Sequence, residues 1–377
     1  MIQVEDLLLK LVNYKSITPS SGEIFDFIIK ILNEYEFNCN YFEKNGVGNL
    51  IAKLKSNQPQ KQLKSFAFAG HLDVVPAGDE KLWNYDPFFA TKNNGKIYGR
   101  GTSDMKGSIA SFIVALIDFI EQNKPYGDIY LLLTGDEEGE CLYGTKSIVE
   151  KFKENKNEID LCLIGEPTSN DLFGDIIKNG RRGSINFTIN VTGKQCHIAY
   201  PERGINPNKI IGKIIEDLYN LKFEKDKIQN TTNLEIFSIN TSSSISNIIP
   251  NSTILSFNVR FSHNYSAIEI IELVTDLIQK YNQTLDFKIS GESFISPTNE
   301  MADIIKKSIL ETNTNQLPKF EISGGTSDAR FLKDICKSFA EFGPRNNSIH
   351  QINEYIEIDE LHKLQTTYLA ILKNIWR

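Results

Sequence analysis

The segment Ser65–Asp73, which reads SFAFAGHLD, combines the two features that decide the fold of this 377-residue chain. Its first half is a short apolar run typical of a buried β-strand, and its second half ends in a histidine and an aspartate. The segments Asp128–Glu138 (DIYLLLTGDEE) and Asp160–Glu166 (DLCLIGE) repeat this arrangement. Polar side chains that follow buried parallel strands collect at one edge of a sheet, where ligands bind in such folds.

Helices are predicted before and between these strands. Apolar residues recur with helical spacing over 4–14, 23–36, 105–121 and 145–155. Because strands that alternate with helices usually pair in parallel, the sequence predicts an α/β fold. We expect a mostly parallel mixed sheet that is flanked by helices.

The middle of the chain has a different pattern. Gly183–Thr192 and Ser252–Phe261 alternate apolar and polar residues, as half-exposed antiparallel strands do, and helical spacing follows each of them. Two strand–helix pairs predict a small α+β domain of ferredoxin-like type. The first pattern returns in the last part of the chain. We therefore expect a discontinuous catalytic domain over 1–178 and 292–377, interrupted by an inserted domain over 179–291.

The overall composition argues against several kinds of partner. The formal net charge is -7 and the chain has no basic run, which argues against nucleic acid. The N-terminus lacks the basic start and apolar core of a signal peptide, and no apolar run is long enough to span a bilayer. We therefore expect a cytoplasmic protein that binds neither nucleic acid nor a membrane.

The predicted strand ends carry residues that can bind a metal. His71 and Asp73 are two positions apart, so both side chains point to the same side of an extended chain. The histidine can ligate a metal while the aspartate accepts the remaining N–H of the imidazole. By itself, this pair is a weak signal that is also typical of an ordinary strand end at the protein surface.

The acidic residues next to glycines extend this set. Asp104 lies just before an apolar helix, so its carboxylate could bridge two cations or serve as the N-cap of the helix. Glu137 and Glu138 are adjacent after a buried strand, so one can face a metal and the other a water molecule. Crowding of like charges favours a raised pKa there, which suits a general base. A solvated acidic loop is the alternative interpretation.

Glu166 and His350 also follow predicted strands, and either one alone could be a structural residue. Taken together, the histidines and carboxylates form a ligand set suited to a pair of divalent ions such as zinc. A metal pair can activate water for attack on an amide. The sequence therefore indicates a metal-dependent amide hydrolase.

These motifs resemble those of the M20 family of di-zinc aminoacylases and carboxypeptidases, over nearly the full length of the chain. Two of the motifs are most similar to those of family members that hydrolyse N-succinyl-LL-2,6-diaminopimelate. They are 181–184 (RRGS) and 324–328 (GGTSD). The matching segments are 70–76 (GHLDVVP), 98–101 (YGRG), 104–107 (DMKG), 136–138 (DEE), 165–168 (GEPT), 179–184 (NGRRGS), 197–201 (HIAYP), 247–250 (NIIP) and 324–328 (GGTSD).

The resemblance implies a metal content and a ligand set. Two Zn2+ ions would bind to each subunit, and Co2+ could substitute for them. The ligands carried over by position are His71 and Glu166 on one ion, Glu138 and His350 on the other, and Asp104 as the bridge between them.

The resemblance also implies catalytic roles. Glu137 would be the general acid/base, and Asp73 would orient His71. In this family the inserted domain forms a homodimer and lends a histidine to the active site of the partner. His197 occupies that motif and would stabilise the oxyanion of the tetrahedral intermediate. Cys196 precedes it where glycine is usual, and a glycine there could adopt a backbone conformation unfavourable for cysteine.

The expected substrate is a small acidic molecule, N-succinyl-LL-2,6-diaminopimelate, and the expected products are succinate and LL-2,6-diaminopimelate. An acidic protein must supply local cations and amide donors for such carboxylates, and arginine is well suited to this. Two alternatives stay open: another M20 hydrolase, such as an acetylornithine deacetylase or a dipeptidase, and a non-catalytic binding protein. The substrate-binding residues implied by the resemblance are Arg181, Tyr200, Asn247, Arg260, Ser323, Gly325, Thr326 and Asn346.

Overall fold

A computed structural model of the chain describes residues 2–156, 158–225, 231–312, 317–325 and 327–377. Helices in this described part are α1 (Val4–Val12), α2 (Glu23–Asn33), α3 (Gly107–Glu121), α4 (Thr145–Glu154), α5 (Pro207–Tyr219), α6 (Ala267–Gln279), α7 (Glu300–Thr312), α8 (Ala329–Leu332) and α9 (Ile358–Ile375). Strands are β1 (Asn38–Lys44), β2 (Val47–Leu54), β3 (Phe66–His71), β4 (Thr91–Asn93), β5 (Lys96–Tyr98), β6 (Ile129–Thr134), β7 (Ile159–Ile164), β8 (Ile176–Lys178), β9 (Gly180–Arg181), β10 (Gly183–Thr192), β11 (Cys196–His197), β12 (Asn233–Thr241), β13 (Ile248–Ile249), β14 (Ser252–Phe261), β15 (Thr284–Gly291), β16 (Phe294–Ile295), β17 (Lys319–Glu321), β18 (Cys336–Glu341) and β19 (Tyr355–Glu357).

The largest sheet positions the candidate site. Within the described residues it has eight strands in the order β1-β2-β6-β3-β7-β18-β8-β17. Its central strands β6, β3, β7 and β18 run parallel to one another. These strands are mostly apolar and buried, as expected where helices cover both faces of a sheet. The predicted α/β class with a mostly parallel mixed sheet is therefore confirmed.

The chain divides into two compact units, each with its own hydrophobic core. The first unit contains Met1–Asn179, Ser296–Glu321 and Ser327–Arg377, and the second contains Gly180–Ile295 and Ile322–Thr326. Strand β18 pairs with β7, so the last part of the chain returns to the sheet of the first unit.

The second unit runs to Ile295, four residues beyond the predicted insertion of 179–291, and it also takes in a later segment that begins at Ile322. This segment joins the second unit through local contacts. Arg181 Nη1 donates a hydrogen bond to the carbonyl oxygen of Gly325 at 3.3 Å. A Cβ atom on Gly180 would lie 3.1 Å from the side chain of Ile322. The sequence did not indicate this return, because the segment is short and has no periodic pattern.

The second unit has the ferredoxin-like order of elements, β-α-β-β-α-β. Strands β12, β14, β10 and β15 form an antiparallel sheet in that order, and α5 and α6 connect its strands. The sequence pattern did not predict the outer strands β12 and β15. Strand β15 is mostly exposed and has no alternating burial, and the pairing of β12 is irregular between Ile236 and Ser238.

Helix α3 begins two residues later than predicted, at Gly107 instead of Met105. Asp104 is not its N-cap, and no side chain among the described residues caps this helix. Residues 102–106 form an irregular turn in which Asp104 and Met105 have non-helical backbone angles. A Cβ atom on Gly70 would lie 2.5 Å from the Met105 side chain, so this turn packs directly against the end of β3.

Helix α3 is apolar on nearly all sides because the core of the first unit encloses it. Its residues from Gly107 to Ile117 are buried, and it packs against α9. The ring of Phe112 stacks on that of Phe68 in β3, with 4.1 Å between the ring centroids. A short helix that is hydrophobic all round belongs to a protein core. Across the described residues, the structure contains no helix with both the length and the apolar character needed to cross a membrane.

Candidate active site

Neighbouring strand ends bring the predicted metal ligands together. Strand β3 ends at His71, and β6 and β7 run parallel to it on either side. Glu137 and Glu138 follow β6, and Glu166 follows β7. Because parallel strands end at the same edge of a sheet, these side chains emerge next to one another.

The carboxylate of Asp104 lies between His71 and His350. His71 Nε2 is 3.2 Å from Asp104 Oδ1, and His350 Nε2 is 3.3 Å from Asp104 Oδ2. His350 Nε2 is also 3.0 Å from Glu138 Oε1. Each oxygen of one carboxylate therefore faces a different imidazole. This is the arrangement expected of a carboxylate that bridges a pair of cations.

The other carboxylates surround His71. Its Nε2 atom is 3.9 Å from Glu137 Oε2 and 3.9 Å from Glu166 Oε1. The potential ligand atoms of His71, Asp104 and Glu138 lie within 4.8 Å of one another, and so do those of His71, Glu137 and Glu166. Glu137, predicted as the acid/base, thus lies as close to His71 as the predicted ligand Glu166. Imidazole nitrogens together with carboxylate oxygens fit zinc and similar divalent ions.

Asp73 supports the acidic loop after β6. Its buried carboxylate accepts the backbone N–H of Glu137 at 3.2 Å and that of Glu138 at 3.0 Å. The Nδ1 atom of His71 is 2.9 Å from the carbonyl oxygen of Asp73, but 3.7 Å from its carboxylate Oδ1. The backbone of Asp73 therefore holds the imidazole, where the sequence had suggested that the carboxylate would do so.

Burial and crowding raise the proton affinity of the acidic loop. Burial raises the pKa of Glu137 well above its ordinary value, and the nearby charge of Glu166 raises it further. Burial also raises the pKa of Glu138, although the hydrogen bond with His350 opposes this. A raised pKa favours the protonated form of a carboxyl group, which is the direction of shift expected for a general acid–base catalyst.

The carboxylates around His71 and His350 favour the protonated, charged form of both imidazoles. Burial disfavours a charged His71, but the hydrogen bond with Asp104 and the surrounding carboxylates raise its pKa well above the ordinary value. Hydrogen bonds with Asp104 and Glu138 raise the pKa of His350 to about 10. Burial opposes ionisation of Asp104, but both histidines lower its pKa. Cations that bind here must displace these protons, so binding is expected to depend on pH.

His197 lies in the second unit, in the short strand β11. It is exposed, and its Nδ1 atom accepts the backbone N–H of Ala199 at 3.0 Å. The centroid of its ring is 5.8 Å from that of Tyr200. Cys196 is extended in the same strand and pairs with Ile249, so the position does not require a glycine.

The predicted substrate-binding residues differ in exposure. Asn346 belongs to the first unit, and the others that the structure describes belong to the second. Thr326 lies outside the described residues. Burial lowers the pKa of the Arg260 guanidinium. Arg181 is buried, whereas Arg260, Ser323 and Asn346 are half-buried. The exposed residues are Tyr200, Asn247 and Gly325.

Sequence reasoning missed several buried charges of the first unit. Arg100 Nη1 donates to Glu354 Oε2 at 2.8 Å, and both side chains are almost fully buried. Glu354 follows His350 by four residues, but its role is visible only after β19 pairs with β5. Asp328 ends the glycine-rich motif 324–328, but the sequence indicated no role for its side chain. It accepts a hydrogen bond from Thr145 Oγ1 at 2.6 Å, and burial raises its pKa to about 6.

Parallel strands that end in clustered histidine and carboxylate side chains are the arrangement expected of a metal-dependent hydrolase. The sequence model of Peptidase family M20/M25/M40 matches residues 67–374. The chain therefore belongs to this family, and the resemblance seen in its motifs is confirmed.

Individual relatives agree with this membership. A curated succinyl-diaminopimelate desuccinylase of Rickettsia bellii (strain RML369-C) is 41% identical over 380 residues, which cover 97% of this chain and 95% of that protein. The crystal structure of the aminopeptidase PepT from Bacillus cereus ATCC 10987 has a TM-score of 0.80 at 18% identity, and the match covers 99% of this chain and 98% of that one. The Bacillus subtilis YXEP protein, described as a dinuclear metal binding peptidase from the M20 family, has a TM-score of 0.67 at 16% identity and covers 99% and 97% of the two chains. At these identities the solved structures establish the shared fold.

Proposed function

We propose that this protein is a succinyl-diaminopimelate desuccinylase. It would hydrolyse the amide of N-succinyl-LL-2,6-diaminopimelate to succinate and LL-2,6-diaminopimelate, a step of diaminopimelate and lysine biosynthesis. The observation that carries the metal-dependent hydrolysis is the Asp104 carboxylate, which lies between His71 and His350. The substrate is proposed from the similarity to a curated desuccinylase, which is 41% identical to this chain over nearly its whole length.

The metal ligands are assigned within the same proposal. The donor set favours Zn2+, with Co2+ as a substitute. When bound, a pair of such cations supplies Lewis-acid activation of the amide carbonyl and of the attacking water. We assign His71 and Glu166 to one cation, Glu138 and His350 to the other, and Asp104 to a bridging position.

Glu137 would carry out the proton transfers. Its carboxylate takes a proton from the attacking water and then donates it to the leaving amine nitrogen. Burial and the charge of Glu166 raise its pKa, the direction of shift that suits a group that accepts and then donates a proton. Asp73 contributes by accepting the backbone N–H of Glu137, which limits where the glutamate side chain can lie.

The second unit would bind the acidic substrate. Guanidinium groups pair well with carboxylates, which suits Arg181 and Arg260 to the ends of the substrate. His197 would stabilise the developing oxyanion in the active site of a partner subunit, so the active form would be a homodimer. Hydrogen-bonding groups would come from Tyr200, Asn247, Ser323, Gly325, Thr326 and Asn346.

Metal analysis followed by an activity panel tests the proposal. Protein purified without chelator is expected to contain zinc and to hydrolyse N-succinyl-LL-2,6-diaminopimelate with a higher kcat/KM than N-acetylornithine or a dipeptide. A chelator should abolish activity, and added Zn2+ or Co2+ should restore it. Faster hydrolysis of N-acetylornithine or a dipeptide would assign another M20 activity. A chain that binds no metal and cleaves none of the substrates would be a binding protein.

Two further parts of the proposal need their own measurements. Light scattering of the purified protein tests the homodimer, and a monomer at assay concentration would exclude a histidine supplied by a partner. Fractionation of the source cells tests the expected cytoplasmic location.

A further inference from the structure

Among the described residues, four donors of one short segment converge on the buried carboxylate of Glu354. Its Oε1 atom accepts the backbone N–H of Ser103 at 3.0 Å and that of Asp104 at 3.1 Å. Its Oε2 atom accepts the backbone N–H of Gly101 at 3.1 Å and Nη1 of Arg100 at 2.8 Å. Backbone N–H groups that converge in this way form a concave anion site. Here the anion is a side chain of the protein itself.

The segment held by Glu354 lacks the support of regular secondary structure. Gly101 has a φ of 86°, and Asp104 has non-helical backbone angles in an irregular turn. A helix would satisfy N–H groups through its own carbonyl oxygens, whereas here Glu354 accepts those of Ser103 and Asp104. Buried N–H groups need such partners, because an unpaired one is costly. The conformation of this turn therefore depends on a residue that lies far away in the sequence.

Arg100 connects the same carboxylate to the other segments of the candidate site. Its Nη1 atom also donates to the carbonyl oxygen of Gln351 at 3.1 Å, and its Nη2 atom donates to that of Pro76 at 3.3 Å. Gln351 directly follows His350, and Pro76 lies in the loop that continues from β3. The guanidinium thus contacts the segment that carries His350 and the loop that follows His71.

We propose that Glu354 is a positioning residue that, together with Arg100, sets the backbone of 101–104 so that the Asp104 carboxylate faces both His71 and His350. The proposal rests on the metal-dependent function proposed above. The competing explanation is a buried ion pair that only stabilises the fold. Desolvation offsets much of the attraction within a buried pair, so stability alone is a weak reason for placing these charges here.

The test compares metal binding by the unsubstituted chain and by Glu354→Gln after both have been stripped of metal. Glutamine keeps the size of the side chain but presents an NH2 group, which cannot accept a hydrogen bond from the converging donors. We expect Co2+ affinity to fall by about 10–100-fold and the visible absorption of the Co2+-loaded protein to change. The kcat for N-succinyl-LL-2,6-diaminopimelate should fall to a similar extent, while KM stays within about twofold.

Asp175→Asn is the matched control. The half-buried Asp175 carboxylate also accepts backbone N–H groups of a nearby loop, those of Asn170, Asp171 and Leu172. Residues 170–172 include none of the candidate site residues, and Glu166 lies four residues before them in the same connection. This variant should melt at a lower temperature and keep the Co2+ affinity, absorption and kcat of the unsubstituted chain.

Glu354→Asp provides a graded variant that is usable if Glu354→Gln does not fold. Aspartate keeps the charge but draws the carboxylate back from the N–H groups, so an intermediate loss of Co2+ affinity is expected. Unchanged affinity and absorption in whichever variant folds, even with a lowered melting temperature, would make the pair purely structural and overturn the proposal. An unsubstituted chain that neither binds Co2+ nor hydrolyses the substrate would overturn the proposed function as well. The two failures are therefore distinguishable.

Discussion

The histidines of the two units differ in exposure, although His350 in the first unit is half-exposed and Arg181 in the second is buried. In the first unit, His71 and Asp104 are buried and contact other titratable side chains within a few ångströms. In the second unit, His197 and Tyr200 are exposed. Burying a charge is costly unless a partner compensates it, so a dense cluster can persist only where every member supports another. Residues that meet a substrate or another subunit need accessible surface instead. The predictions below test whether this contrast corresponds to a division between chemistry and recognition.

The largest effect is expected in the buried cluster, from Glu137→Gln. Loss of the general acid/base should lower kcat by about 10²–10⁴-fold, while the metal content stays unchanged. The control is Glu140→Gln, which removes an exposed carboxylate from the same acidic loop and should leave kcat unchanged. Near-normal turnover in Glu137→Gln would defeat the assignment. Loss of metal would instead make Glu137 a ligand, in keeping with its 3.9 Å distance from His71.

His197→Gln tests the exposed side of the comparison. Removal of one oxyanion donor should lower kcat by about 10²–10³-fold without loss of metal. If the partner subunit supplies this histidine, co-expression of His197→Gln with Glu137→Gln should restore activity, because one site of the mixed dimer keeps both residues. Activity that stays at the level of the separate variants would place His197 in the site of its own subunit or outside any site.

A smaller effect is expected for Arg260→Gln. A hydrogen bond to a charged group contributes about 1.5–3 kcal/mol, so KM for the succinylated substrate should rise by about tenfold or more with little change in kcat. Lys288→Gln removes an exposed positive charge from the same sheet and should leave KM unchanged. An equal rise in KM for both variants would indicate a general effect of net charge, and no rise for Arg260→Gln would remove it from the substrate site.

The smallest effect concerns the pH dependence of stability in the metal-free protein. Hydrogen bonds with Asp104 and Glu138 raise the pKa of His350 from 6.5 to about 10 in the folded chain. A raised pKa stabilises the fold fully below pH 6.5, and this contribution is lost as pH rises towards 10. His350 is half-exposed, so solvent screening limits the fall in Tm to roughly 2–4 °C, the change produced by about 1 kcal/mol.

Thermal melts of chelated protein between pH 6.5 and 10 measure this effect. His350→Gln should flatten the curve, and the same substitution at the exposed His263 should leave it unchanged. A curve that falls equally in both variants would show that His350 does not contribute.

The extent to which the sequence could predict the molecule differs between the units for a physical reason. His71, Glu138 and Glu166 could be predicted as a group because each lies at the end of an apolar strand of the central sheet or closely after it. The outer strands β12 and β15 could not, because edge strands lack the buried apolar pattern that marks central ones. The sequence did not indicate that 322–325 lie with the second unit, because their place depends on contacts with Arg181 and Gly180.

By itself, the sequence determined which kinds of ligand follow the buried strands, because an apolar run and the polar residues after it are adjacent in the chain. Tertiary structure alone decided that one carboxylate lies between two imidazoles, because His350 reaches Asp104 only after the last segment of the chain returns to the sheet. It also placed Glu354 against the backbone of Asp104, 250 residues away in the chain. Contacts between residues so far apart in the chain depend on strand register and on the burial of complementary charges. No local sequence pattern encodes either of these.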